Sequence, residues 1–315
     1  MYLPDKARHI SMCLELAVLF ESSTEKPGNV NKQAHFGVTR YEHFLASAVA
    51  ISPLLEQAAK RGIEASQEKI SLNNIRLGEI IKNCVLSIDR WQHGGNTLLG
   101  TAILLSPIAV AAGMTPIDET VFDFKTLRRH IKVVVEATTP EDAVQVYEAI
   151  RLARPGGLGS SSQLDVNDPN SATRILKGGI SLYQVFKIAS DYDSICSEWV
   201  NNYSITFDVA YPYSMKQLNG NADLNTAVVN TFLKVLAEHP DTLIARKTDA
   251  ATAQEISLMA CSILNAGGIE TTLGKKELEK FDTKLRKADN LLNPGTTADI
   301  ISAALALCVL GGYRP

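Results

Sequence analysis

The segment Asn293-Pro294-Gly295-Thr296-Thr297-Ala298-Asp299 leads directly into an apolar run from Ile300 to Leu310. Proline fixes φ and disfavours the helical region for the residue before it, and glycine permits a tight turn, so this segment predicts a turn followed by a helix. Thr296 or Thr297 is expected to cap that helix. The free N–H groups of its first turn would attract an anion, and Asp299 would hold a metal ion or a ribose hydroxyl. The alternative is an ordinary capped helix whose aspartate offsets the helix dipole.

A second long stretch, residues 94–117, contains no charged residue. Its length raises the question of a membrane span, because about 20 apolar residues cross a bilayer as a helix. Gly94, Gly95 and the pair Ser106-Pro107 interrupt the stretch, however, and leave only short continuous apolar runs. A helix that is apolar on all sides is expected at the centre of a large helical domain. We therefore predict a buried core helix and no membrane partner.

The rest of the chain repeats the spacing of amphipathic helices, with capping signals such as Thr39 with Glu42, Asp123, and Thr139-Pro140-Glu141-Asp142. No alternating apolar runs joined by Asn-Gly or Asp-Gly turns occur, so almost nothing predicts strands. The fold class is predicted to be all-α, a single large multi-helix bundle spanning residues 1–315 whose site is formed by interhelical loops. The predicted helices cover about 5–22, 39–60, 72–91, 97–112, 123–135, 139–154, 171–189, 192–203, 225–238, 241–247, 249–265, 275–288 and 296–310.

Composition excludes several classes of protein. The chain has 315 residues and a formal net charge of -3, with a pI near 6.1, so it lacks the basic surplus that general nucleic-acid binding requires. Five scattered cysteines without C-x-x-C spacing indicate neither a disulfide framework nor a zinc site and fit a reducing cytoplasm. The first residues carry charges and no apolar region with a cleavage site, so no signal peptide is predicted.

Polar, glycine-bearing loops between apolar helices are the candidate positions for chemistry, and they could converge on one pocket of a helical bundle. Familiar nucleotide and hydrolase motifs are absent: there is no P-loop, no G-x-G-x-x-G after a strand, no H-E-x-x-H pair and no serine nucleophile elbow. Each loop alone is weak support for a site. The loops lie at residues 26–29, 95–100, 156–166, 241–247 and 293–299.

Taken in order along the chain, these loops and their neighbours form a longer pattern. The blocks are Glu21 with Lys26-Pro27-Gly28-Asn29-Val30, His35, Phe44 with Ser47, Asn96-Thr97 with Gly100, Gly156-Gly157-Leu158-Gly159 with Asp165-Val166, Asp193-Ser194-Ile195, Pro240-Asp241-Thr242-Leu243-Ile244 with Arg246-Lys247, Asp282 with Leu285-Arg286, and the segment from Asn293 to Asp299.

This ordered set resembles the triphosphoribosyl-dephospho-CoA synthase family from about Glu15 to Leu310. The resemblance implies an all-α enzyme that takes ATP and 3'-dephospho-CoA and joins the acceptor's ribose 2'-hydroxyl to C1' of the ATP ribose. Adenine is released and the triphosphate is kept. Breaking an N-glycosidic bond needs carboxylates near an oxocarbenium-like centre and groups that transfer protons. The retained triphosphate needs Mg²⁺ and basic side chains.

The site residues are assigned to two roles, the cleavage of the N-glycosidic bond and the binding of the triphosphate. Glu21 and His35 are the candidate proton-transfer groups, and Asp193 joins them as a catalytic candidate. Helix capping by Asp193 and a core position for His35 are the structural alternatives. The expected ligands are Asp165, Asp193 and Asp299 for Mg²⁺ or the ribosyl cation, Lys26, Arg246, Lys247 and Arg286 for the triphosphate, Asn96, Thr97 and Asn293 for ribose or phosphate, and Gly28, Asn29, Thr296 and Thr297 for the substrate in general.

The acceptor is the least constrained part of this prediction. Leu98-Leu99 follow Asn96-Thr97 at a place where bacterial members tend to carry polar or basic residues. The alternatives are an ATP-dependent ribosyl or phosphoribosyl transferase or a nucleotide N-glycosidase that uses another acceptor, or a helical protein that binds a nucleotide without turnover. We expect a cytoplasmic protein that uses ATP and dephospho-CoA or a related cofactor precursor, and a homodimer is compatible with the resemblance.

Overall fold

The computed structural model of the chain describes residues 5–118, 121–159, 161, 163–220, 222–287 and 290–315. Helices dominate this part of the chain, and its only sheet is one antiparallel hairpin of two-residue strands, Ile117–Asp118 (β1) and Val121–Phe122 (β2). The prediction of an all-α fold is therefore confirmed. The helices are α1 (Lys6–Ser23), α2 (Tyr41–Ser66), α3 (Leu77–Trp91), α4 (Leu99–Met114), α5 (Phe124–Glu136), α6 (Pro140–Ala153), α7 (Ser171–Gly178), α8 (Leu182–Ala189), α9 (Ser194–Val200), α10 (Tyr211–Asn219), α11 (Leu224–Glu238), α12 (Thr242–Lys247), α13 (Ala250–Asn265), α14 (Thr272–Lys287) and α15 (Gly295–Leu310).

Two helices, α4 and α15, form the centre of the molecule. Residues 101–112 of α4 and 300–310 of α15 are buried on every side, because α1, α2, α3, α5 and α11 pack around them. The predicted buried core helix is thus α4. None of the described helices combines the length and hydropathy that crossing a bilayer requires. The two central helices also contact each other, and a hydrogen bond from Thr101 to Asp299 shows that their N-terminal turns lie in the same region.

Close packing of α2 against α4 depends on two glycines. A Cβ atom added at Gly62 would collide with the backbone carbonyl of Val110, and one added at Gly113 would collide with that of Ala59. Small residues at such crossings let two helix backbones approach each other directly. This contact fixes the position of α4 and hence of the polar residues at its N-terminal end.

Two predicted caps are confirmed, whereas the one predicted at the start of α2 is wrong. Asp123 accepts hydrogen bonds from the N–H groups of the first turn of α5, and Thr139 forms a capping box with Asp142 at the start of α6. Thr39, in contrast, does not cap α2. That helix begins after Arg40, whose N–H donates to Nδ1 of His43, because the Thr39 hydroxyl instead donates to the Gly94 carbonyl at 2.5 Å.

Two predicted helices are interrupted by residues with positive φ. Gly179, at φ 62°, separates α7 from α8, and Ser181 caps the second of them. Arg76, at φ 56°, separates a short 3-10 turn, Leu72–Asn74, from α3. Apolar periodicity continues across both interruptions, which is why the sequence alone predicted single helices.

A fully buried carboxylate, Glu198, organises the segment between α9 and α10. Its two oxygens accept hydrogen bonds from the N–H groups of Ile205 and Thr206 at 2.8 and 2.9 Å, where a π-helix, Ile205–Ala210, begins. Burial raises the pKa of Glu198 from its ordinary 4.5 to about 7, despite the lowering effect of these hydrogen bonds. In the folded state this carboxyl is therefore mostly protonated below a pH of about 7.

We expect Glu198→Gln to flatten the pH dependence of stability. Because the folded pKa lies above the unfolded one, the wild type loses stability as pH rises from about 4.5 through about 7. The loss is on the order of 3 kcal/mol. A neutral amide cannot ionise, so the free energy of unfolding of the variant should change much less across this window. Urea denaturation at pH 5 and pH 8 measures both proteins, and equal pH slopes would contradict the account.

Candidate active site

A cavity of about 480 Å³ lies beside the N-terminal ends of α4 and α15. All five polar loops singled out in the sequence contribute residues to its wall. Eleven of the sixteen predicted site residues line the cavity, so the structure brings most of the set together. They are Glu21, Asn29, Asn96, Thr97, Asp165, Asp193, Arg246, Lys247, Asn293, Thr296 and Asp299.

Asp299 lies on the wall where the two central helices meet. Its Oδ1 accepts a hydrogen bond from the Thr101 hydroxyl at 2.5 Å, which joins α15 to the first turn of α4. A Cβ atom added at Gly100 would collide with Oδ2 of Asp299. Glycine at this position therefore lets the carboxylate lie directly against the start of α4, where the positive end of the helix dipole favours an anion.

The electrostatic surroundings of Asp299 are unfavourable for its negative charge. Removal from solvent, together with the neighbouring carboxylates of Glu21 and Asp241, raises its pKa to about 8, while the hydrogen bonds from Thr101 oppose the shift. At neutral pH a cavity without ligand therefore holds Asp299 largely protonated. A cation placed next to this group would favour the ionised form.

Glu21 is a second carboxylate in the wall, and Lys26 balances its charge. The Lys26 ammonium lies 3.1 Å from Oε1 of Glu21, and it also donates to the backbone carbonyl of Glu21 and to Thr24. Lys26 is only 1 % exposed and is not among the residues that line the cavity. The structure thus places Lys26 behind Glu21, at the end of α1.

The loop that follows Lys26 is held by α14 and by the turn before α15. Asp282 accepts a hydrogen bond from Gly28 N at 2.8 Å, and Arg286 donates to the Asn29 carbonyl at 2.7 Å. Asn293 donates to the Gly28 carbonyl, also at 2.7 Å. Gly28 and Arg286 therefore lie outside the cavity wall and position Asn29 and Asn293, which are part of it.

Asp193 and Arg246 form an ion pair in the wall, with Nη1 and Oδ2 separated by 2.6 Å. The other oxygen of Asp193 accepts from the N–H groups of Ile195 and Cys196 and caps α9, so the capping alternative holds for this residue. Lys247 beside it donates to the Asn290 carbonyl at 2.8 Å. Burial lowers the pKa of Lys247, and a bound anion would favour its protonated, positively charged form.

Thr296 and Thr297 do not cap α15, and this prediction is wrong. The N-cap residue is Pro294, without a side-chain hydrogen bond. Thr297 donates both its N–H and its hydroxyl to Oδ2 of Asp241, at 2.7 and 2.8 Å, and Thr296 lies near the hydroxyl of Thr242 at 3.4 Å. The threonines therefore connect α15 to α12, because a buried carboxylate from another helix is available to them.

Thr97 has a defined hydrogen-bond direction. The Ser47 hydroxyl donates to the His43 carbonyl at 2.6 Å and lies 2.7 Å from the Thr97 hydroxyl. A hydroxyl has one proton to donate, so Thr97 must donate to Ser47. The oxygen of Thr97 then offers lone pairs to the cavity and can accept a hydrogen bond from a ligand hydroxyl.

His35 is exposed and does not line the cavity. It lies in the connection between α1 and α2, where two isolated bridges, Asn31 with Ala34 and Phe36 with Thr39, shape the chain. The structure therefore supports neither a core position for this histidine nor its contact with the other predicted residues.

Comparison with known proteins agrees with the pattern of loops. A family model described as ATP:dephospho-CoA triphosphoribosyl transferase matches residues 7–315. The chain belongs to this family. Transferase is therefore its enzyme class, and the resemblance drawn from the loops is confirmed. The family match does not favour a different acceptor or a protein without turnover.

One solved structure shows the same fold. It is the crystal structure of a protein from Archaeoglobus fulgidus assigned provisionally as a triphosphoribosyl-dephospho-CoA synthase. The TM-score is 0.62 at 23% sequence identity, with 86% of this chain and 100% of that chain covered. A search of the curated proteins found no match. At this identity the solved structure supports the fold of the family member and nothing more.

The three aspartates predicted to hold a metal differ in their surroundings. Both oxygens of Asp193 are occupied, as described above, and those of Asp165 accept from Ser161 N and Asn167 N, which lowers the pKa of Asp165. Asp299 keeps Oδ2 without a hydrogen-bond partner among the described residues. No group of three or more potential metal-ligating side chains occurs within the part of the chain that the structure describes.

Sequence reasoning missed several residues of this triphosphoribosyl transferase site. Thr101 lies in the first turn of α4, and its partner Asp299 is 198 residues away in the chain, so no local signal could have found it. Asp241 carries the signal of an N-cap before a short helix, but nothing local shows that it also binds Thr297. Tyr147 of α6 and Arg154, the residue after that helix, line the cavity and carry no recognisable motif.

Proposed function

We propose that this family member transfers the triphosphoribosyl group of ATP to the 2'-hydroxyl of 3'-dephospho-CoA and releases adenine. The observation that supports the proposal is the convergence of Asp299, Glu21, Arg246 and Lys247 on one cavity. Carboxylates next to a cationic wall suit a reaction in which a ribosyl cation develops beside a polyphosphate.

The reaction exchanges one bond of C1' for another. The bond between C1' and the adenine nitrogen breaks, the electron pair leaves with adenine, and a bond forms between C1' and the acceptor 2'-oxygen. Adenine gains one proton and the 2'-hydroxyl loses one. We assign Asp299 to stabilise the positive charge at C1' and Glu21 to transfer the proton, with its charge balanced by Lys26 when the site is empty.

The triphosphate is assigned to the cationic wall. Arg246 offers donors beyond the one bound to Asp193, and Lys247 lies next to it. Guanidinium groups suit phosphate oxygens because they present several donors in one plane. The lone pairs of Thr97 would accept from a ribose hydroxyl, and the side-chain amides of Asn96 and Asn293 would bond ribose or phosphate.

We propose Mg²⁺ as the ion that accompanies ATP. Mg²⁺ commonly binds through one or two carboxylates together with substrate phosphates, so the site does not need a cluster of protein ligands. Asp299 fits this use, because its Oδ2 accepts no hydrogen bond from a described residue. A cation would also offset the burial and the neighbouring carboxylates that raise the pKa of Asp299. The ion would neutralise phosphate charge there. We further propose a cytoplasmic location, since the five cysteines are free thiols.

Incubation of the purified chain with ATP, MgCl2 and dephospho-CoA tests the proposal. Chromatography should show free adenine only when the acceptor is present, in amounts equal to the acceptor consumed. ADP or AMP as the nucleotide product would indicate a kinase or ligase instead. Adenine release with water alone would indicate a nucleotide N-glycosidase, and either result would overturn the proposed transfer.

A further inference from the structure

The cavity has a second part that is apolar, which we call the apolar lobe. It is formed by α6 and α8, which pack against each other, and not by the central helices that carry Asp299. The lining side chains that belong to α6 and α8 lie at helical spacing on one face of each helix, so both faces are directed into the same space, and Tyr192 lies in the turn that follows α8. The lobe is lined by Tyr147, Ile150, Val185, Ile188, Ala189 and Tyr192.

The outer end of the lobe is open to solvent. Ile188 is 36% exposed and Tyr192 is 48% exposed, although both line the cavity. Large apolar side chains at the entrance of a cavity are costly to leave in water, so they commonly mark a place where a ligand covers them. The openness of this end suits a long ligand that extends towards the surface.

A cation stands next to the apolar face of α6. Arg154 is the C-cap residue of α6, four residues after Ile150 and in the left-handed region at φ 46°, and it also lines the cavity. Arg246 is paired with Asp193, whereas Arg154 has no ion pair and no side-chain hydrogen bond with any described residue. Its guanidinium is exposed and available for an anion.

These features define the chemistry of the ligand: a phosphate group joined directly to an extended chain that carries methyl and methylene groups. In dephospho-CoA the diphosphate is joined directly to the pantetheine arm, whereas the adenine ring is separated from it by the ribose. We propose, on the basis of the proposed function, that Arg154 binds the acceptor's diphosphate and that the apolar lobe binds its pantetheine arm. Arg154 and Ile188 would then determine specificity for the acceptor.

Calorimetry with 4'-phosphopantetheine as the probe tests this assignment on the full chain, without turnover. The wild type should bind the probe, and Arg154→Gln and Ile188→Ser should each weaken binding by about tenfold or more, the usual effect of losing one charged or apolar contact. Lys187→Gln and Leu176→Ser are matched controls. Both residues are exposed, lie outside the cavity wall, and should leave binding of the probe unchanged.

A second titration with AMP separates the two halves of the acceptor. Ile188→Ser should not weaken AMP binding, because the lobe is assigned to the arm and not to the base. Loss of AMP binding with retained phosphopantetheine binding would place the adenine ring in the lobe and overturn the proposal, as would a wild type that does not bind the probe. Failure of the adenine-release assay would overturn the proposed function alone, because these titrations do not depend on catalysis.

Discussion

Replacing Asp299 with asparagine is expected to lower kcat for adenine release by about 10³-fold, the usual cost of removing a positioned charge at a reacting centre. Asparagine keeps an oxygen that can accept from Thr101, so the contact between α15 and α4 should survive. It cannot supply the negative charge that a ribosyl cation requires. Rapid-quench or steady-state assays of free adenine measure the change.

The stability of Asp299→Asn should equal or exceed that of the wild type, although its kcat falls. Burial and the nearby charges of Glu21 and Asp241 make an ionised Asp299 unfavourable, as its pKa of about 8 indicates. A neutral amide removes that cost, so the Tm of the variant should equal or exceed that of the wild type at pH 8 and above. Asp191→Asn, at an exposed position outside the cavity wall, is the control. A kcat within tenfold of the wild type would contradict the role of Asp299.

Replacing Asp241 with alanine is expected to lower the free energy of unfolding by about 3–5 kcal/mol, among the largest effects of a single substitution. Asp241 is 2% exposed and accepts four hydrogen bonds: two from Thr297, one from Leu243 N and one from Ile244 N. Alanine would leave these buried donors without a partner. Burial raises the pKa of Asp241, and the hydrogen bonds from Thr297, Ile244 and Leu243 oppose that shift.

Asparagine should restore only part of the loss at position 241. Its single carbonyl oxygen can accept from the start of α12, but its NH2 group would face the N–H of Thr297. Asp223, which caps α11 at an exposed position and accepts from Thr226 N at 2.7 Å, provides the comparison. Asp223→Ala should cost only about 1 kcal/mol. Equal losses for the two alanine variants in chemical denaturation would show that Asp241 is an ordinary cap.

The Asp241 result would also bear on the site, since this residue joins the helix of Arg246 to the helix of Asp299. Loss of the contact should separate the cationic wall from the carboxylate. We therefore expect the folded fraction of Asp241→Ala to have weaker ATP binding than the wild type, whereas Asp223→Ala should bind ATP normally.

The sequence was informative wherever local chemistry determines the structure. The Thr139 cap and the buried helix in the uncharged stretch, α4, depend on neighbours in the chain, and both predictions were confirmed. The glycine-bearing loops were predicted to converge on one pocket, and residues from all five of them line the cavity.

Predictions failed where a distant residue competes for the same group. Thr39 could cap α2, but its hydroxyl reaches Gly94. Thr297 could cap α15, but a buried carboxylate from α12 takes both of its donors. No local pattern contains these partners, which are far away in the chain.

The apolar lobe could not be predicted for a related reason. Tyr147, Ile150 and Ile188 have the spacing of ordinary core residues, and only the arrangement of α6 and α8 turns their side chains towards a cavity. Arg154 follows a predicted helix end, where basic residues are common for reasons of the helix dipole. Its lack of a described partner becomes visible only in the structure.

The account depends on a ribosyl group moving with its triphosphate intact. The most direct test supplies ATP labelled with ³²P at the γ-phosphate, together with Mg²⁺ and dephospho-CoA, and follows the label and free adenine in the same sample. We predict that the label appears in the enlarged acceptor and that one adenine is released for each labelled product. Label in inorganic phosphate, or in an acceptor formed without adenine release, would contradict the account.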